Sequence, residues 1–267
     1  MATYQTEKQQ ILDWLAASRG DMLELLERLV NIDSWSYDKA GVDKVGEAIA
    51  EFLEGHGIDV IRIPIETHGD SFRASVGAAA GNRPIMLLGH RDTVFPTGEV
   101  AKRPFRMVGD RAYGPGVADM KAGLVLNAFV IAAFKKFGGA PAPLMALFTG
   151  DEEIGSPTSR PIIENAAREA RLVFNSEPGR ASGNVVTGRK GGVFMRATVE
   201  GVAAHSGGNY EKGRSAIEEL ARKVQAWHKV TDLEAGITVN VGLIEGGQSV
   251  NTVAPHATAQ IDLRYIE

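Results

Sequence analysis

The stretch IMLLGHRDT, residues 85–93, decides the fold. Its first four residues are all apolar, which predicts a strand buried on both faces, as in a sheet covered by helices. His90 and Asp92 follow this strand directly. In open α/β sheets, ligands bind beyond the carboxyl ends of the strands, so this position is typical of a functional site.

Two later stretches repeat the arrangement. LMALFTGDEE covers residues 144–153 and LVFNSE covers residues 172–177, so each apolar run is followed by acids, namely Glu152, Glu153 and Glu177. Residues with helical periodicity fill the intervals between the three predicted strands. This alternation predicts an α/β fold with a doubly wound, mostly parallel sheet, and it places the three motifs on one rim of that sheet.

The flanking sequence indicates two domains. Apolar residues at helical spacing predict three helices within residues 6–55, followed by two strands, the second of which ends at Ala78. A Gly-rich stretch at 181–192 is typical of a linker. The order strand, helix, strand, strand follows it and predicts a small open sheet with a helix on one face. We therefore predict two domains, one at 1–180 and a smaller α+β domain at 181–267.

Composition narrows the class of partner and metal ligand. The chain has 267 residues, 44% of them hydrophobic, and a formal net charge of -4 without a long basic run, which argues against nucleic acid or an anionic membrane as the main partner. It has no cysteine, so any metal must be held by His, Asp and Glu. The N-terminus lacks the apolar core of a signal peptide, and no apolar run approaches a membrane span. We expect a soluble, cytoplasmic protein that acts on a small molecule.

The acidic residues can be divided into roles. Asp119 follows a Gly-Pro-Gly turn at the start of a long predicted helix, and it suits the bridging position that two divalent ions require. Asp92 lies two residues after His90 and can hold its imidazole in one tautomer. Glu152 and Glu153 are adjacent, so one can bind metal while the other serves as a base. Each residue alone has a structural explanation, such as a helix cap or a solvated pair, but their convergence on one rim favours a two-metal hydrolase.

The motifs GHRDTV, GPGVADMKAG, TGDEEIGS, NSEPG and GVAAHSG resemble those of the M20 family of metallopeptidases, most closely its glutamate carboxypeptidase (carboxypeptidase G2-like) branch. The resemblance runs from about residue 20 to the end of the chain, and it implies a zinc exopeptidase-like fold. It also implies two zinc ions, for which cobalt or manganese could substitute. Asp119 would bridge them, and Glu152 would be the general base. The other ligands would be His90 and Glu177 on one ion and Glu153 on the second.

The resemblance also implies that domain 1–180 is catalytic and that domain 181–267 is a lid or dimerisation domain through which two subunits form a homodimer. His205 of one subunit would reach across to stabilise the oxyanion in the other, while Asn251 and Arg264 would contact the substrate. The implied substrate is a peptide or N-acyl amino acid whose C-terminal, glutamate-like residue is released by hydrolysis of the amide bond. The alternative within the same family is an N-acyl amino acid deacylase or deacetylase.

Members of this family continue beyond the strand that matches DLRY here, and their later sequence supplies a final histidine ligand to the ion held by Glu153. The present sequence ends at Glu267, and neither His228 nor His256 occupies the position of that ligand. We therefore expect a C-terminally truncated chain in which both domains are incomplete. Two alternatives follow: a catalytically inactive binding or dimerisation fragment, and an enzyme that uses only the ion held by His90.

Overall fold

The computed structural model describes residues 2–77, 81–140, 142–184 and 188–266. The chain forms two compact units, Met1–Pro178 and Gly179–Glu267. Two sequence predictions fall partly outside the described residues: the end of a strand at Ala78, and the central part of the Gly-rich linker at 185–187.

The first unit contains six α-helices and seven strands among its described residues. The helices are α1 Ala2–Ala17, α2 Arg19–Val30, α3 Lys39–Gly55, α4 Glu99–Lys102, α5 Ala122–Phe137 and α6 Arg160–Glu169. The strands are β1 Val60–Ile63, β2 Ser71–Val76, β3 Ile85–His90, β4 Arg106–Val108, β5 Arg111–Tyr113, β6 Leu144–Thr149 and β7 Leu172–Asn175. The short β4–β5 hairpin was not predicted from the sequence. Its residues are largely exposed, so they carry little hydrophobic pattern.

The central sheet has the strand order β1-β2-β6-β3-β7. Strand β3 pairs in parallel with both β6 and β7. These three strands are the ones that precede the acidic motifs. Strand β2 pairs antiparallel with both β1 and β6. A short loop without a crossover helix joins β1 to β2, as an antiparallel pair allows. The predicted α/β class is confirmed, and the sheet is mixed.

Helices cover both faces of this sheet. One face packs against α2, α3 and α5 in a large apolar core that includes Leu29, Ile49 and Phe129. The other face packs against α6 through a smaller cluster that includes Met86, Met145 and Ala166. Burial on both faces explains why β3 and β6 are almost entirely apolar.

Helix α5 is the most apolar helix of the unit. Together with the preceding turn it forms a 21-residue stretch, Val117–Phe137, that is long and apolar enough to cross a membrane, contrary to the expectation that no such run exists. Most of its side chains are buried inside the unit, and the fully buried ones include Leu124, Ala128 and Ile131. Its composition is therefore accounted for by its place at the centre of the core.

The second unit is a three-stranded antiparallel sheet with one helix. Its elements are β8 Gly191–Glu200, α7 Ala216–His228, β9 Thr238–Gly246 and β10 His256–Tyr265, with β10 in the centre of the sheet. Ser215 caps the N-terminus of helix α7, and its hydroxyl accepts a hydrogen bond from the Glu218 N–H at 3.2 Å. Leu220 of this helix packs onto Ala257 and Ala259 of β10. This is the predicted order of elements, with the helix on one face.

Candidate metal centre

The carboxyl ends of three parallel strands carry the predicted site residues. His90 is the last residue of β3, Glu152 lies three residues after the end of β6, and Glu177 lies two residues after the end of β7. Because β3 pairs in parallel with both other strands, these ends share one rim of the sheet. The rim predicted from the apolar runs therefore exists in the structure.

His90 stands at the centre of a group of carboxylates. Its Nε2 atom lies 3.2 Å from Asp119 Oδ1, 3.6 Å from Glu177 Oε1 and 3.7 Å from Glu152 Oε2. One ligand atom each from His90, Asp119 and Glu177 all lie within 4.8 Å of one another. One imidazole nitrogen and two carboxylate oxygens are a donor set that suits zinc and similar divalent ions.

Glu153 lies beside this group without belonging to it. Its side chain is partly buried, and its carboxyl is close enough to His90 and Asp119 for their charges to affect its pKa. In the part of the chain that the structure describes, no second group of three candidate ligands surrounds Glu153. The geometry thus brings together the three residues expected to hold one ion. Of the ligands expected for a second ion, Asp119 and Glu153 lie close to each other in the described part of the chain.

Asp92 does more than the sequence predicted. Its Oδ1 lies 3.3 Å from Nδ1 of His90, in the orienting position expected from their spacing. It also accepts a hydrogen bond from the Ser36 hydroxyl at 2.7 Å, and others from the backbone N–H groups of Glu152 and Glu153, both at 3.1 Å. One fully buried carboxylate therefore fixes both the imidazole and the backbone of the acidic pair.

Asp119 lies in an irregular turn before α5. Gly116 begins this turn with a φ of 69°, a conformation that favours glycine, and the peptide bond between Asp119 and Met120 is cis. Lys121 ends the turn with its side chain buried, and its ammonium donates to the Ile32 carbonyl at 2.8 Å. Burial lowers the pKa of Lys121 to about 7, although the nearby charge of Asp33 opposes this shift.

Contacts of α5 bring Glu177 next to Asp119. A Cβ atom on Gly123 would lie 2.1 Å from the Ser176 carbonyl oxygen, so only glycine permits this close approach. Asn127, one turn later, donates to the Leu88 carbonyl at 3.0 Å and accepts from the Ser176 hydroxyl at 2.6 Å. These contacts explain why glycine stands at position 123 and asparagine at position 127, after the Asp119 turn.

Asp151 was missed by the sequence analysis. It is fully buried two residues after the end of β6, and its carboxylate accepts hydrogen bonds from the backbone N–H and hydroxyl groups of both Thr158 and Ser159. These bonds close the turn that carries Glu152 and Glu153. The available signal was its place in the TGDEE motif, immediately before the acidic pair.

The electrostatics of the rim favour positive charge. Burial disfavours the imidazolium form of His90, but hydrogen bonds with Asp119 and Asp92 outweigh this and raise the pKa of His90 to about 11. Burial raises the pKa of Glu153 to about 7 and also raises the pKa of Glu177, with neighbouring acids adding to the burial effect. Carboxylates held this close together are stabilised by a cation between them, so the residues present fit a divalent metal ion.

Arg91 forms a second buried ionic centre beneath the rim. Its guanidinium donates to the carbonyl oxygens of Thr149 at 3.2 Å, Val42 at 2.8 Å and Asp70, and it lies 4.7 Å from the centre of the Phe72 ring. Burial lowers the pKa of Arg91 to about 10. Arg91 therefore ties the ends of β3 and β6 to α3, a role that the sequence analysis did not predict.

The predicted catalytic residue His205 and the predicted substrate-binding residues Asn251 and Arg264 of the second unit fall into two groups. His205 pairs through its backbone with Thr252, and the Ser206 N–H donates to the Asn251 carbonyl at 3.0 Å, so exposed His205 and Asn251 are neighbours. Arg264 lies at the opposite end of β10 from this pair, and its Nε is 2.8 Å from the carboxylate of Asp262. Within one unit, the structure brings His205 and Asn251 together but not Arg264.

Comparisons with known proteins agree with this architecture. Residues 187–267 match the peptidase dimerisation domain of the M20 family. The chain is 31% identical over 248 residues to carboxypeptidase G2 of Pseudomonas sp. (strain RS-16), covering 91% of this chain and 60% of the relative. It is 30% identical over 265 residues to acetylornithine deacetylase of Vibrio atlanticus (strain LGP32), covering 91% and 67%.

Solved structures show the same fold. An M20 family metallo-carboxypeptidase from Sulfolobus solfataricus superposes with a TM-score of 0.71 at 19% identity, covering 91% of this chain and 71% of that chain. A tripeptidase from Staphylococcus aureus gives a TM-score of 0.70 at 22% identity, covering 92% and 66%. The chain belongs to the M20 family of metallopeptidases. It spans about three fifths of the length of the curated relatives that it matches.

Proposed function

We propose that the protein is a metal-dependent hydrolase that releases a C-terminal, glutamate-like amino acid from a peptide or an N-acyl conjugate. The observation that carries the proposal is the group of His90, Asp119 and Glu177 on the carboxyl rim, with Glu152 beside it. The similarity to carboxypeptidase G2 supports the choice of scissile bond.

The proposed metal ions are two zinc ions, and cobalt or manganese would suit the same nitrogen and oxygen donors. His90 and Glu177 would hold one ion, Glu153 would hold the other, and Asp119 would contact both. When bound, the ions would polarise the scissile carbonyl and acidify the attacking water. The position of Asp92 supports this division, because it orients the imidazole from behind while leaving Nε2 facing the carboxylates.

Glu152 is the proposed general base. Its backbone is anchored by Asp92, while its carboxylate is about half exposed, so it can meet a substrate from solvent. In this role it takes a proton from the attacking water and later delivers that proton to the nitrogen of the leaving amine. This assignment uses the adjacent acids differently, one for proton transfer and one for the cation.

The second unit would complete the site in a homodimer. We propose that His205 stabilises the oxyanion in the site of the partner subunit and that Asn251 contacts the substrate beside it. Their adjacent, exposed positions support a joint role. Arg264 would bind the substrate carboxylate bidentately, which requires it to exchange its present contact with Asp262.

A second candidate is hydrolysis of an N-acyl amino acid by the same residues. The 30% identity to acetylornithine deacetylase favours it specifically. Both reactions cleave an amide bond, so the two candidates are distinguished by the part of the substrate that the enzyme recognises. A panel that contains an N-acyl glutamate, a glutamyl dipeptide and N-acetylornithine separates them by relative kcat/KM.

The decisive variant is Glu152→Ala, measured together with metal content. We expect turnover to fall at least about 100-fold while bound zinc stays unchanged, because a base contributes to proton transfer but not to coordination. Glu153→Ala should instead lose zinc, and Glu54→Ala, an exposed change on α3, should alter neither property. Loss of zinc in Glu152→Ala would mean that this residue is a ligand, and failure of the wild-type protein to bind zinc, cobalt or manganese would refute the proposal.

A further inference from the structure

Lys121 buries an ammonium group in the turn that carries Asp119. The residue is 1% exposed, and its Nζ donates to the Ile32 carbonyl at 2.8 Å. Asp33, the acid whose charge acts on this ammonium, uses its carboxylate to accept hydrogen bonds from the backbone N–H groups of Gly98 and Val100. A buried lysine is costly to desolvate, so its presence here requires a reason other than packing.

The segment that accepts this hydrogen bond also contacts the other side of the site. Within residues 32–36, the Ser34 carbonyl accepts from the Thr93 N–H at 2.8 Å, and the Ser36 N–H donates to the Thr93 carbonyl at 3.2 Å. The Ser36 hydroxyl binds Asp92. We call residues 32–36 the connector, because they join the Asp119 turn to the strand end that carries His90 and Asp92.

Lys121 also organises its own turn. Its backbone N–H donates to the Gly116 carbonyl at 2.9 Å, which closes the turn around Asp119. Its side chain then extends from this closed turn to the connector. The Asp119 side chain itself is 57% exposed and hydrogen-bonds to His90 and Glu177, which are site residues themselves, so the position of its backbone depends on the turn.

We propose that Lys121 is a positioning residue that sets the distance between Asp119 and His90 by tying the Asp119 turn to the connector. The inference rests on the proposed function, because it concerns the affinity of the site for a divalent ion. The inference predicts that, without the ammonium, all ligand residues are still present but the distance between Asp119 and His90 is no longer fixed. Residues that orient metal ligands typically contribute 10- to 100-fold to metal affinity.

A purely structural lysine would behave differently. Methionine has a similar length and no charge, so Lys121→Met removes the desolvation cost together with the hydrogen bond. We therefore expect the melting temperature of the chelator-treated protein to change little. If Lys121 served only stability, the melting temperature would fall and the affinity for zinc would not.

The experiment measures zinc affinity by competition with a chromophoric chelator, and thermal unfolding in the presence of EDTA. We expect Lys121→Met to bind zinc 10- to 100-fold more weakly than the wild-type protein. Ile49→Val is the matched stability control, because Ile49 is buried in α3 and lies in the apolar core rather than at the rim. It should lower the melting temperature and leave zinc affinity unchanged.

Unchanged zinc affinity in folded Lys121→Met would overturn this inference alone. An equal loss of affinity in Ile49→Val would also overturn it, because affinity would then simply follow stability. If Lys121→Met fails to give a wild-type near-ultraviolet circular dichroism spectrum, Lys121→Gln is judged by the same affinity criterion. Failure of the wild-type protein to bind zinc, cobalt or manganese would overturn the proposed function and this inference together.

Discussion

The buried carboxylate of Asp151 offers a graded test of how the acidic turn is held. Replacement by alanine leaves the backbone N–H groups of Thr158 and Ser159 without their acceptor, while the two hydroxyls can turn to other partners. Each buried, unsatisfied donor costs about 1–3 kcal/mol, so Asp151→Ala should lower the free energy of unfolding by about 4 kcal/mol.

Asparagine should be far less damaging at the same position. Its amide oxygen can replace Oδ2, which accepts three of the four hydrogen bonds, and its amide can donate to the Ser159 hydroxyl. What is lost is the contribution of the negative charge to these bonds, about 1–2 kcal/mol. Asp59→Asn, an exposed change before β1, should cost less than about 0.5 kcal/mol.

Urea denaturation followed by tryptophan fluorescence measures these differences. Trp14 and Trp35 lie in the first unit and Trp227 lies in the second, so a Trp227→Phe background makes the signal report the first unit alone. The m-value should stay constant across the series while the midpoint moves. Equal losses in Asp151→Ala and Asp151→Asn would refute the reasoning, because unsatisfied backbone donors would then not be the cause.

Three further predictions concern other parts of the first unit. Burial opposes ionisation of Asp70, but its hydrogen-bond partners outweigh this effect and lower the pKa of its carboxyl from 3.8 to about 2. About 2 kcal/mol of stability that is present above pH 4 should therefore be lost as the pH falls towards 2. Asp70→Asn should flatten this part of the stability–pH curve. Gly46→Ala should lower the free energy of unfolding by about 2 kcal/mol or more, because its Cβ would lie 2.2 Å from the Arg91 guanidinium. Gly20 lies in α2 with open space around it, so Gly20→Ala should raise the free energy of unfolding by about 0.5–1 kcal/mol in the same urea assay. Glu177→Gln should weaken zinc binding at least about tenfold by chelator competition, and wild-type affinity would remove it from the ligand set.

The rim could be predicted because it depends on a simple rule. Parallel, doubly buried strands are apolar along their whole length, and residues that follow them in sequence must emerge at the same edge. His90 ends the buried strand β3, Glu152 follows the buried strand β6, and both obey that rule. Glu177 follows β7, an edge strand whose apolar residues are exposed, and it reaches the same edge because β7 pairs in parallel with β3. The strands of the β1–β2 pair were predicted, but their antiparallel pairing was not. The β4–β5 hairpin was missed, because its short and largely exposed strands carry little hydrophobic pattern.

The supporting residues could not be predicted because their partners are distant in sequence. The Ser36 hydroxyl meets Asp92 across 56 positions, and the Lys121 ammonium meets the Ile32 carbonyl across 89. Nothing local to Lys121 or Arg91 distinguishes a buried cation from a solvated one, and charged residues are usually exposed. Their roles depend on the folded backbone, which supplies carbonyl acceptors that no sequence pattern records.

These buried polar residues and the apolar core have different functions in the fold. The apolar core of α2, α3 and α5 against the sheet is sufficient to build the layers, but hydrophobic contacts are non-directional and tolerate small shifts. A metal site does not tolerate them, since ligand atoms must hold their spacing within a fraction of an ångström. Asp92, Lys121 and Asp151 each join a site-bearing segment to another segment through directional bonds at the rim. Their desolvation costs stability, and in return the carboxylates around His90 keep a spacing that hydrophobic packing alone would leave loose.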